Sequence, residues 1–192
     1  MLMKKLMTVV VCTLALTLCA AGAFAQDVLK VDYFANANTA GAPDATVRLS
    51  NPGTNTNGNG NVCASIFVFD PMQEMSECCS CLLTPDGLRT LSVNADLTSN
   101  PLTGVTLSTG VVKVVSTWPL SGNTCPLPTT VNPLPALRSW ATHIQNSNFA
   151  ITETASQDAT LSSAEVGSLQ SECKAIHLDG SGKGICSCGT GD

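Results

Sequence analysis

The chain has 192 residues with only 12% charged and 4% aromatic side chains, and its formal net charge is −5. Its nine basic residues are scattered and form no stripe, which argues against a nucleic-acid partner. Abundant Ser, Thr, Asn and Gly between runs of Val, Ile, Leu and Phe argue against disorder and for a turn-rich β protein.

The first residues read as an export leader. Lys4 and Lys5 precede an apolar run from Leu6 to Leu18, and Ala23-Phe24-Ala25 forms a small-residue cleavage box. Cleavage is expected between Ala25 and Gln26. The apolar run is too short to span a bilayer, which takes about twenty residues. Leu16-Thr17-Leu18-Cys19 offers a rival reading, acylation of Cys19, but the residue before such a Cys is ordinarily small and here is Leu18. No later segment is long and apolar enough to act as a transmembrane anchor. Removing residues 1–25 leaves seven basic residues against fourteen acidic ones, a net charge of −7. The remainder, 26–192, is long enough for one domain with its own core.

A short strand is predicted at Val28–Phe34. Thr46–Ser50 alternates apolar and polar residues, as a half-buried strand does. An Asn-Gly-rich loop over 51–61 follows, then a central strand from Val62 to Phe69. The two strands are expected to form a hairpin across that loop. Asp70-Pro71 resembles a helix start, with Asp70 as cap and Gln73 reaching back, so a short helix is expected from Met72 to Cys78. Thr84-Pro85-Asp86-Gly87 is a type I turn pattern. Further strands are expected at Leu88–Val93, Gly104–Leu107 and Val111–Thr117. Residues 119–139 carry five prolines and read as a surface crossover. Asn148 to Ala155 is read as another strand, with Phe149 and Ile151 inward. Ser162 and Glu165 make a capping box for a helix over 163–177, stopped by Gly180. These elements assemble into a mainly β fold: a single β-sandwich-like domain with a short helix near residue 72, a C-terminal helix and disulfide crosslinks.

Of ten cysteines, Cys12 and Cys19 lie in the leader. The other eight, Cys63, Cys78, Cys79, Cys81, Cys125, Cys173, Cys186 and Cys188, are an even set in an exported chain and read as disulfides. Eight cysteines allow 105 pairings. Adjacent Cys78 and Cys79 are expected to bond elsewhere, because a bond between them would strain the peptide. Cys186 and Cys188 share one face of an extended segment, so the tail is expected to be stapled to the 78–81 cluster. A metal reading, in which these thiols and His177 act as soft ligands, matches no established zinc spacing. A redox role for Cys186 and Cys188 is the remaining alternative.

Asp179 to Gly184 is glycine-rich but lacks the phosphate-loop pattern. His143 and His177 form no metallohydrolase motif, no hydrolase serine elbow occurs, and no cofactor is implied. Asp70, Glu74 and Glu153 are candidate hydrolase carboxylates. Asp70 is explained by its capping role, and Glu74 and Glu77 by a solvated helix face. Trp118 and Trp140 are candidates for stacking on sugar rings, against partial burial beside the crossover.

The segments Cys63–Asp70, Glu77–Cys81, Pro85–Ser92 and the closing Cys186-Ser187-Cys188 are similar to those of cysteine-rich secreted proteins of acidobacterial-type soil bacteria. That resemblance implies export and one domain, and no activity. The leading expectation is therefore a secreted or cell-surface structural or interaction module with a protein or glycan partner. The alternatives are a carbohydrate-binding module and a secreted hydrolase.

Overall fold

The structure is a computed structural model and describes residues 28–189 apart from 57, 122 and 146. The expected leader and cleavage site, with Cys12 and Cys19, lie outside the described residues. Nine strands run in chain order: β1 (Leu29–Phe34), β2 (Thr46–Ser50), β3 (Val62–Phe69), β4 (Met75–Leu83), β5 (Leu88–Ser92), β6 (Gly110–Thr117), β7 (Arg138–Gln145), β8 (Ala150–Ala155) and β9 (Gln157–Ala159). A π-helical turn at Val93–Leu97 follows β5, and α1 (Ser163–Asp179), the α-helix among the described residues, follows β9.

The strands form two antiparallel sheets, ordered β4-β3-β6-β1-β9 and β5-β2-β7-β8. The first sheet is covered on both faces. Val62, Ala64, Ile66 and Val68 of β3 join Val112 and Val114 in a core shared with Val47, Leu49, Leu91 and Ala141 of the second sheet. Phe67 and Val115 point the other way, to Leu169, Cys173 and Ile176 of α1. Double coverage is why all of β3 but Phe69 is buried. Each fully buried Val, Ile, Leu or Phe contributes about 1.5–3 kcal/mol. Among the described residues no layer covers the outer face of the second sheet, and β2 accordingly alternates buried and half-buried residues. The helix follows its sequence signals: Ser162 Oγ accepts from Glu165 N at 3.1 Å, and Gly180 ends it with a φ of 71°.

Residues 150–159 run as a strand that changes sheets. β8 pairs with β7, and after Ser156 β9 pairs with β1, so one side of the sandwich is closed.

Several expectations are corrected. No helix forms near residue 72. Asp70 Oδ1 does accept two amide hydrogens, from Met72 at 2.8 Å and Glu74 at 2.9 Å, but these close a β-turn with Gln73 at a φ of 70°. The cap signal is shared by turns, and the following residues gain more by pairing with β3 as β4. β2 and β3 do not form a hairpin; they lie in different sheets, and loop 51–61 carries the chain between them. The expected strand at 104–107 is irregular backbone. The crossover ends at Leu137, because Arg138 opens β7, which the sequence reading did not anticipate. Ile151 points outward, 59% exposed on an edge strand, whereas Phe149 does pack against the core.

Gly110 opens β6 where two elements meet. A Cβ there would lie 2.4 Å from Phe69 O and 2.6 Å from Phe34 Cζ. Both contacts are too close and one is backbone, so Gly110→Ala is expected to cost about 2 kcal/mol, read as a lower urea midpoint.

Candidate functional site

All eight cysteines outside the leader are paired: Cys63–Cys125, Cys78–Cys173, Cys79–Cys186 and Cys81–Cys188. Strand alternation sorts them. Cys79 and Cys81 sit two residues apart on the β4 face that meets the inner core, while Cys78 faces α1. The neighbouring cysteines therefore cannot serve one partner. The tail is stapled to the middle cluster as expected. Four disulfides point to an oxidising compartment outside the cytoplasm. Among the described residues no helix is long and apolar enough to cross a membrane.

The tail knot also contains an ionisable group. Glu77 was expected on a solvated helix face; it is instead 0% exposed in β4. Its Oε1 accepts from Asn100 N at 2.9 Å, and its Oε2 has no hydrogen-bond partner. Burial pushes its carboxyl up to about 7, against the opposing pull of the Asn100 amide and the Lys183 charge. Asn100 in turn holds the tail: its Nδ2 donates to Gly182 O at 2.9 Å and Ile185 O at 3.2 Å, and its O accepts from Gly184 N at 2.7 Å. The Asp179–Gly184 loop is thus part of the tail's anchorage.

A second polar cluster lies under the sheet-switching strand. Asp32 on β1 and His143 on β7 are both buried, with His143 Nε2 3.3 Å from Asp32 Oδ1. His143 Nδ1 faces Tyr33 O at 3.1 Å, so it must carry a hydrogen. Nε2 also meets Thr154 Oγ1 at 2.8 Å. Ser156 Oγ donates to Asp32 Oδ2 at 2.8 Å and lies 2.8 Å from Ser139 Oγ. Tyr33 stacks on the imidazole with ring centroids 4.3 Å apart. This Asp, His and Ser set is not a nucleophilic triad. The serine binds the carboxylate directly, and the ring nitrogen that would orient a base is held by a backbone carbonyl. The cluster ties β1, β7 and residues 154–156 together where the chain changes sheets. Sequence reasoning missed it, although polar Lys30 and Asp32 at alternate positions between Leu29 and Phe34 were the visible sign.

Of the candidate carboxylates, Asp70 and Glu74 lie together and Glu153 lies apart. Glu153 pairs with Arg48 at 2.5 Å on the outer face of the second sheet. Asp70 and Glu74 line one shallow cleft of about 480 Å³ beside Thr103 and Leu107, but one Asp70 oxygen is held by the turn amides. His177 lies on α1 beside the Cys78–Cys173 bond, away from His143.

The two tryptophans are also separated. Trp118 follows β6, is half-buried and packs against the inner core. Trp140 is 37% exposed on β7. The register places Arg48 opposite Trp140, and Thr90 opposite Arg48; the next row is Ser92, Thr46, Thr142 and Glu153. Together these residues make a flat, Thr-rich polar surface with one aromatic ring near its centre.

Comparison with family models, with curated proteins and with solved structures found no match to this chain.

Proposed function

We propose that the chain is an exported structural or interaction module, with its leader cleaved after Ala25, working outside the cytoplasm without catalysis. The observation that carries this reading is the open outer face of the second sheet. The inner face of that sheet is core and the first sheet is covered twice, so this face is the broad β surface left to meet a partner. The disulfides hold the frame behind it. Asp32 and His143 in the seam, Glu153 with Arg48, Asp70 in its turn and Glu77 in the tail knot are engaged in structural contacts, which leaves Glu74 as the carboxylate to test. A carboxylate-dependent activity in a broad hydrolase screen, abolished by Glu74→Gln or Asp70→Asn without loss of folding, would overturn it.

The second reading is carbohydrate binding, favoured by Trp140. An exposed indole beside Thr, Arg and Glu side chains matches the faces of a sugar, apolar on its C–H side and hydrogen-bonding at its edge. In titrations against soluble glycans, Trp140→Ala is expected to weaken binding at least tenfold, a loss of about 1.4 kcal/mol. Trp118→Ala is expected to lower stability and leave affinity unchanged. Binding that is indifferent to Trp140 would end the assignment.

A further inference from the structure

We infer that the tail knot is a latent metal site: when its two disulfides are reduced, Cys79, Cys81, Cys186 and Cys188 bind one borderline divalent cation, such as Zn²⁺, as a tetrathiolate. Both halves of the knot have the pattern Cys-Ser-Cys in extended backbone, so each presents two sulfurs on one face. The Sγ atoms of Cys79, Cys81 and Cys188 lie within 4.8 Å of one another; Cys186, bonded to Cys79, lies outside that group and is the ligand that must move furthest. A tetrahedral site with Zn–S bonds of about 2.3 Å has sulfur–sulfur edges of about 3.8 Å. Three of the four sulfurs are thus within about 1 Å of such an edge, and opening the Cys79–Cys186 bond frees the Cys186 side chain to turn towards them.

The tail is held in place by contacts that reduction leaves intact. Cys78 N donates to Gly184 O at 2.8 Å, Gly184 N to Asn100 O at 2.7 Å, and Ser187 N to Asp96 O at 2.9 Å. Ser187 Oγ donates to Asp96 Oδ1 at 2.8 Å, and Arg89 Nη1 to Cys188 O at 2.6 Å. The four thiols thus remain gathered. A second, independent observation concerns charge. A divalent ion on four thiolates leaves a net charge of −2, and the Arg89 guanidinium lies at the knot with its buried Nε–H unpartnered. That donor is oriented by the chain and left without an acceptor in the oxidised state.

The chemistry balances with a phosphine or dithiol as reductant. Each disulfide takes up two electrons and two protons; the phosphine gives the electrons and becomes its oxide, with one water supplying the oxygen and both protons, or the dithiol supplies both and becomes its disulfide. Metal binding then releases four protons from the four thiols to solvent. Cys78, Cys173 and His177 form a comparable group, also within 4.8 Å. There both sulfurs are fully buried beneath α1 and only three ligands converge, which makes it the natural control.

The test uses the full mature chain, reduced with a phosphine under anaerobic conditions and titrated with Co²⁺ as a spectroscopic probe. Expected are one Co²⁺ per chain, sulfur-to-cobalt charge-transfer absorption with tetrahedral d–d bands, and displacement by Zn²⁺. The spectrum is expected to be lost in Cys81→Ala/Cys188→Ala and kept in His177→Ala. Zn²⁺ is expected to shield four thiols from alkylation, two of them in the Cys186–Cys188 peptide. The proposal is overturned by an octahedral spectrum, by charge transfer that survives the double alanine variant, or by its loss in His177→Ala. It is equally overturned if the reduced chain loses its β-sheet circular dichroism and the metal does not restore it.

Discussion

Removing both tail disulfides is expected to cost about 5 kcal/mol in loop entropy, while removing either alone costs about 2 kcal/mol, so the double loss exceeds the sum of the single ones. The reason is loop closure. Cys79–Cys186 and Cys81–Cys188 each span 107 residues of sequence, but they do not close independent loops. Cys78–Cys173 already brings β4 and α1 together. With that bond in place, the first tail bond closes a ring on the order of fifteen residues, worth about 3 kcal/mol in the chain-entropy model. The second bond, two residues further along both segments, closes a further ring on the order of six residues, worth about 2 kcal/mol in the same model. Each tail bond therefore substitutes in part for the other. Urea unfolding of Cys79→Ala/Cys186→Ala, Cys81→Ala/Cys188→Ala and the quadruple variant, under oxidising conditions, measures this directly. Packing losses from the missing sulfurs enter each variant separately and cancel in the cycle, which leaves the coupling. Strict additivity would show that the two bonds close separate loops, contrary to the topology described here.

The parts of this arrangement that were legible in the sequence are those set by local chemistry. The capping box at Ser162, the apolar run of β3 and the Val-rich β6 are short-range signals. The stapling of the tail was readable because two-residue alternation puts Cys186 and Cys188 on one face. What was not legible depends on partners far along the chain. β4 carries Ser76, Glu77 and Ser80 among its cysteines and follows a cap-like Asp70, so its local pattern points to a turn or helix. Only pairing with β3, and cover from α1 on one side and the tail on the other, makes it a strand. The separation of β2 from β3 follows from the same contrast. An alternating strand belongs in a sheet with one open face, and a uniformly apolar strand in a sheet covered twice. Both patterns were visible, but a short Asn-Gly loop weighs towards a hairpin unless that difference is used. The Asp32–His143 seam joins positions 111 residues apart, and no spacing rule finds it.

Stability is expected to fall as pH rises from about 4.5 to about 7, and Glu77→Gln is expected to remove that part of the dependence. The unfolded chain releases the Glu77 proton near the ordinary value of 4.5, whereas the buried carboxyl of the folded chain holds it until about 7. Between those values the folded state binds more protons, so deprotonation favours unfolding. The contribution is fully present below 4.5 and lost once pH has passed about 7. Its size is roughly 1–3 kcal/mol after allowance for screening by Lys183 and nearby solvent. Glu77→Gln keeps an oxygen that can accept from Asn100 N and removes the charge. It is expected to match the parent at pH 4.5 and to exceed it by about 1–2 kcal/mol at pH 8, in urea unfolding with the disulfides intact. Glu77→Leu strands the Asn100 amide and is expected to be destabilised at both pH values by about 1–3 kcal/mol. A parent that gains stability relative to Glu77→Gln between pH 5 and 8 would mean that Lys183 and Asn100 outweigh burial and hold the carboxylate charged. The side chain at this position supplies the acceptor for Asn100 N, and Asn100 in turn fixes the tail from which Cys186 and Cys188 reach β4.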